Sequence, residues 1–196
     1  MSSSSELLTE PTRRELSARQ GRTVQGLTEA AIDELRSTGY DGMTVRNVAR
    51  RAGVAAATAY TYFASKEHLV TEAYWRRIAT LPDPRVDRRR GPSARVTAAL
   101  ADITKLANDE PELVAACTVA MMADDPDVRH LRDRIGQVIH ERFVAALGED
   151  ADRAVLRALD LAMTGALVRA GTGHMSYSDI PVRIAEVATL MLEPRS

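Results

Sequence analysis

The chain has a single cysteine, Cys117, so it can form no disulfide within itself and no cysteine-rich zinc cluster. No stretch approaches the roughly 18 consecutive apolar residues of a membrane-spanning helix. The start, Met1 to Leu16, lacks the basic segment and apolar core of a secretion signal. Together these absences point to a soluble, cytoplasmic protein with no membrane partner. A strong net charge is missing too: the formal balance is -1 with 27% charged and 45% hydrophobic residues. That excludes both a charge-swollen disordered chain and a uniformly basic binder of polyanions. Alternating β-branched runs and hairpin dipeptides are lacking, and no internal repeat is visible, so the 196 residues read as all-helical.

What is present is an asymmetry. Residues 1–90 carry 15 Lys and Arg against 11 Asp and Glu, a balance of +4, whereas residues 91–196 carry 11 against 16, a balance of -5. Residues 1–18, with the Ser2–Ser5 tract, show no apolar periodicity and are expected to be a mobile arm. Val24, Leu27, Ala31 and Leu35 then recur at helical spacing until Gly39. Thr44 stands where a helix N-cap belongs, Gly53 breaks a short second helix, Ala56 to Phe63 make a third, and Ser65 caps a fourth toward Ala79. Residues 80–92, rich in Pro and Arg, read as a linker. Prolines near helix starts suggest further helices over 93–108, 111–123, 126–147, 151–170 and 179–192 within a second domain, 93–196.

The most informative stretch is Thr44 to Phe63. A helix-turn-helix needs a small residue where its helices cross, a glycine at the turn and apolar residues that fix the angle; Ala49, Gly53, Val54 and Ala59 fill these places. Such a pair holds its second helix outward as a rod that fits the DNA major groove. The run from Ala30 to Leu69, with Gly39-Tyr40, Thr44-Val45, Ala49, Ala52-Gly53-Val54, Tyr60, Phe63 and Ser65-Lys66-Glu67, resembles the N-terminal domain of the TetR family of transcriptional regulators. The resemblance covers about residues 19–79. It implies an N-terminal three-helix helix-turn-helix domain joined to a helical domain for ligand binding and dimerisation, with double-stranded DNA as partner.

It also implies roles for individual residues. Thr44 contacts a phosphate, caps its helix, or does both. Arg46 is placed to reach DNA, while Arg50 and Arg51 either add to that charge or form a solvated face. Tyr60, Tyr62 and Lys66 fall where phosphate contacts occur, although either tyrosine can instead be packing. Base reading falls to Ala55, Ala56, Ala57, Thr58 and Thr61. Here the chain departs from the family, which often has Ser and Lys at 55 and 56, Leu at 59, a basic residue at 61 and Pro at 64. The helix is left with methyl groups and two hydroxyls, so specificity can lean on DNA shape or on Arg13, Arg14, Arg19 and Arg22 of the arm.

The last two helices supply Leu156, Leu159, Met163, Leu167, Ile184, Val187, Leu190 and Met191. These are expected either at a homodimer interface or in the chain's own core. Leu106, Val114, Cys117, Met121, Met122, Val138, Phe143 and Met163 are expected to enclose a small apolar effector, or else to be plain core. His130, His140 and His174 can orient a polar group or simply face solvent. Asp124, Asp125, Asp127 and His130 can hold a metal, but capping a helix start explains the aspartates as well. No zinc, phosphate-loop or nucleophile-elbow motif is present, so neither a cofactor nor catalysis is expected. The resulting expectation is a regulator, a repressor released from a palindromic operator by a small apolar ligand. The rivals are a protein-interaction module on the same scaffold and a small helical enzyme.

Overall fold

The computed structural model describes residues 18–192, and among them every regular element is a helix. The expected arm, 1–18, lies outside them apart from Ala18. None of the described helices is long and apolar enough to cross a membrane. Two compact units emerge. The first takes the described residues through Thr80 together with Glu112–Arg134, and the second takes Leu81–Pro111 with the residues from Ile135 onward.

In the first unit α1, Ala18–Gly42, buries Val24, Leu27, Ala31 and Leu35 along one side. Each valine or leucine among them contributes about 1.5–3 kcal/mol on removal from water, and the alanine less. Gly39 does not end the helix outright. It takes φ 68°, turns the chain, and its carbonyl accepts from Met43 N–H at 3.2 Å before the element stops at Gly42. Two short helices, α2 (Val45–Arg51) and α3 (Ala56–Tyr62), lead into α4, Lys66–Ala79. Ser65 caps α4 by accepting from His68 N–H at 3.0 Å. Most of α4 is buried, with Leu69, Val70, Ala73, Trp75 and Ile78 at its centre.

Residues 112–134 pack in this first unit, although the sequence boundaries group them with the second domain. The reason lies in α7, Pro111–Ala120. Leu113, Val114, Ala116, Cys117, Thr118 and Ala120 are all buried, so its apolar surface runs almost all the way round and needs an interior position. Polar contacts reinforce the placement. Ser65 Oγ donates to Asp125 Oδ2 at 3.1 Å, and the Arg134 guanidinium lies 4.3 Å over the Trp75 ring. Asp125 also accepts from the N–H groups of Asp127 and Val128 at the start of α8, Pro126–Leu147.

In the second unit the helix expected over 93–108 is two helices, α5 (Pro92–Ala99) and α6 (Ala101–Asp109), parted at Leu100. The buried Arg142 of α8 accounts for the break. It donates to Ala99 O at 3.0 Å and to Pro82 O at 2.8 Å, placing a side chain in the helical hydrogen-bond ladder. The remaining elements are α9 (Arg153–Gly171), a single 3-10 turn (Tyr177–Asp179) and α10 (Ile180–Leu192). On α9, Leu156, Leu159, Met163, Ala166 and Ala170 form one buried stripe at steps of three and four, and α10 buries Ile180, Ile184, Ala185 and Ala188.

Candidate nucleic-acid interface

The helix-turn-helix is built from local hydrogen bonds. Thr44 Oγ1 accepts from Asn47 N–H at 3.1 Å and starts α2, whose Val45, Val48 and Ala49 face inward. At its other end Gly53 N–H donates to Arg50 O at 3.2 Å and Val54 N–H donates to Ala49 O at 3.0 Å. This pair of bonds is a Schellman stop, and it requires the φ of 68° that Gly53 adopts. A side chain there would be strained even though the space beside it is open. The chain leaves in extended form through Ala55 and enters α3 at once.

Of α3 itself only Ala59 is buried. Ala57, Thr58, Tyr60 and Thr61 are exposed, Tyr60 by 48%, while Ala56 and Tyr62 are half-buried and Ala55 lies exposed just before the helix. Phe63, fully buried, anchors its end. The structure thus brings every expected base-reading residue onto one protruding helix and its entry.

The expected phosphate contacts divide. Thr44 and Arg46 are exposed beside that helix, and among the described residues no hydrogen bond or ion pair engages the guanidinium of Arg46 or Arg50. Arg51 is different. Its Nε pairs with Glu34 Oε2 at 2.8 Å and its Nη2 donates to Ser37 Oγ at 2.8 Å. Glu34 is only 4% exposed, so Arg51, though partly open to solvent, is not a free charge; it ties α2 to α1. Lys66 is also partly engaged. Its ammonium donates to Tyr40 O at 3.1 Å and sits 4.1 Å over the Tyr40 ring, leaving two protons for another acceptor. Tyr40 in turn donates to Glu67 Oε1 at 3.0 Å, and burial together with that carboxylate pushes its phenol up. These bonds fix the corner between α1 and α4 that supports α3. Of the arm's arginines, Arg13 and Arg14 lie outside the described residues, and Arg19 and Arg22 are exposed at the start of α1.

The residues expected at a dimer face do not share one surface. Leu156, Leu159, Met163 and Ile184 are buried within their own unit, Leu167, Val187 and Met191 are half-buried, and only Leu190 is open, at 64%. The correction is one of helical phase. Counting apolar residues along α9 merges its inward stripe with a second, outward one that contains Leu161, 73% exposed, and Val168. Their spacing of seven, with Gly165 between them, is the signal that would have separated the two. The expected effector residues also part company. Val114, Cys117, Met121 and Met122 belong to the first unit, where Met122 is exposed, and Leu106, Val138, Phe143 and Met163 belong to the second. None of these eight lines either of two open hollows of the second unit, of about 560 and 610 Å³. His140 borders the first hollow, held by Asp160 at 2.8 Å, and His174 borders the other.

A packed helix-turn-helix whose second helix presents all but one of its sides to solvent defines a helix-turn-helix DNA-binding protein. The family model for bacterial regulatory proteins of the tetR family matches residues 27–73. An uncharacterised HTH-type transcriptional regulator of Mycobacterium tuberculosis is 44% identical over 179 residues, 89% of this chain and 82% of that protein. The HTH-type transcriptional repressor KstR of Rhodococcus jostii is 30% identical over 176 residues, 85% of this chain and 81% of that one. In fold, a TetR transcriptional regulator from Rhodococcus sp. RHA1 superposes with a TM-score of 0.68 at 23% identity, covering 91% of this chain and 100% of that chain. The chain belongs to the TetR family and is a DNA-binding transcriptional regulator.

Proposed function

We propose that the protein is a cytoplasmic repressor that occupies a palindromic operator as a homodimer and leaves it when a small apolar effector binds. The observation that carries this reading is the outward face of α3, flanked by the unengaged Arg46 and Arg50. Thr44, Arg46, Tyr60, Tyr62 and Lys66 hold phosphates, and Ala55, Ala56, Thr58 and Thr61 meet base edges. The repressor KstR supports the sign of the regulation. Leu161, Val168 and Leu190 leave an apolar surface on α9 and α10 that a second copy would cover. Two copies then place two α3 helices one DNA turn apart, about 34–36 Å. The effector would enter among Leu106, Val138, Phe143 and Met163 of the second unit, and since none of them borders an open hollow the helices there must part to admit it.

The test is footprinting on the DNA flanking the protein's own gene, with affinity followed from about 50 to 200 mM salt. A protected inverted repeat whose affinity falls steeply with salt is the expected result. Absence of protection, or affinity indifferent to salt, would overturn the reading.

A further inference from the structure

The face that α3 presents has a peculiar chemical inventory. By helical geometry Ala57 and Thr61 stand about 160–200° round from the buried Ala59, with Thr58 and Tyr60 on either flank. From Ala55 to Tyr62 there is no amide, guanidinium, ammonium or carboxylate. The pairings that read guanine by Arg or Lys, adenine by Asn or Gln, and cytosine by Asp or Glu are therefore all closed to this helix. Besides the phenols of Tyr60 and Tyr62, assigned above to phosphates, two threonine hydroxyls remain, and one is taken. Thr61 Oγ1 donates to Ala57 O at 3.0 Å, so its proton is committed to its own helix, whereas Thr58 Oγ1 makes no hydrogen bond among the described residues. Along its outward midline α3 consists of methyl groups, those of Ala57 and Thr61. In the major groove only thymine presents a methyl of its own.

Resting on the reading of α3 as the DNA-contacting helix, we infer that this helix selects its site through the C5-methyl groups of thymine, not through donors and acceptors on purine edges. Ala57 and Thr61 are the residues that make the selection. Arg46 and Tyr60 hold the duplex without choosing among sequences. The half-site beneath α3 accordingly contains A·T pairs whose thymines face the helix.

Deoxyuridine differs from thymidine only by that methyl, which makes it the probe. Full-length protein is used to select a binding site from randomised duplexes. The selected duplex is then resynthesised with deoxyuridine replacing each thymidine in turn. At one or more thymines per half-site, affinity should fall about fourfold, the worth of one buried methyl, with the salt dependence unchanged. Thr61→Ser, which deletes the methyl and keeps the hydroxyl, should cost a similar factor per subunit, about sixteenfold for a dimer, and remove the deoxyuridine penalty at one position of each half-site. Thr61→Val, which keeps the methyl and deletes the hydroxyl, should preserve both affinity and penalty. If deoxyuridine is neutral at every protected thymine, or if the Val variant loses affinity while the Ser variant does not, the inference falls and DNA binding stands. If no duplex is enriched, or retention ignores salt, DNA recognition itself fails and takes this inference with it.

Discussion

Helices α3 and α9 both turn a long face to solvent, yet the two faces are chemically opposed. The outward side of α3 is small and hydroxylated, with Ala57, Thr58, Tyr60 and Thr61. That of α9 carries Leu161 and Val168, with Leu190 exposed on α10. Water tolerates the first surface well and the second poorly, since each large aliphatic side chain left bare forgoes up to about 3 kcal/mol. A helix that must join and leave a polyanion repeatedly can afford only the first kind. A surface that a second copy would cover, as proposed for α9, can carry the second.

Four substitutions test this contrast. Leu161→Glu should have the largest effect: if α9 is the shared surface of the proposed dimer, a carboxylate there should leave monomers and weaken operator binding by about 100-fold or more. Sedimentation and gel retardation on the same sample check it, and a dimer that persists would mean that α9 is not the shared surface. Arg51→Ala comes next, because it leaves Glu34 nearly buried without its guanidinium. A loss of about 2–3 kcal/mol in urea denaturation is expected, below the range for a fully buried pair because Arg51 is 40% exposed. Its neighbour on the same helix should behave in the opposite way. Arg46→Ala should leave the urea midpoint unchanged, weaken operator binding about tenfold or more, and lower the salt slope by about one per subunit, about two for a dimer.

The smallest effect concerns Glu72, whose carboxyl is pushed up by burial, against the pull of Arg76 at 2.8 Å. Its folded form holds a proton more tightly than its unfolded form, so the stability it contributes is full below the ordinary carboxylate range and lost as pH rises through its folded value. Glu72→Gln should therefore gain on the parent protein in denaturation midpoint as pH is raised from about 4 to 7. An advantage that instead grows on acidification would reverse this sign.

How much could be read in advance follows the reach of the interactions. Thr44 and Asn47, or Gly53 and Ala49, are a few residues apart, so the caps and the turn of the helix-turn-helix are written in adjacent letters. The exposure of α3 follows from the same short range, since one alanine, Ala59, is all it needs to bury. The break at Leu100 is set by Arg142, 43 residues away from Ala99, and no local pattern announces it. Arg51 looks like surface charge until Glu34, 17 residues earlier, is brought beside it. On α9 the spacing of Leu161, Gly165 and Val168 marks off a second stripe, but which of the two stripes turns inward depends on the neighbours the helix meets.

The grip of Arg142 reaches beyond the helix it interrupts. One side chain clasps the backbone at Pro82 and again at Ala99, so the Pro- and Arg-rich linker and the helix α5 that follows it are held together at their two ends without a covalent link. Loss of that one guanidinium would free two backbone carbonyls 17 residues apart at once, so a single position on a distant helix governs both.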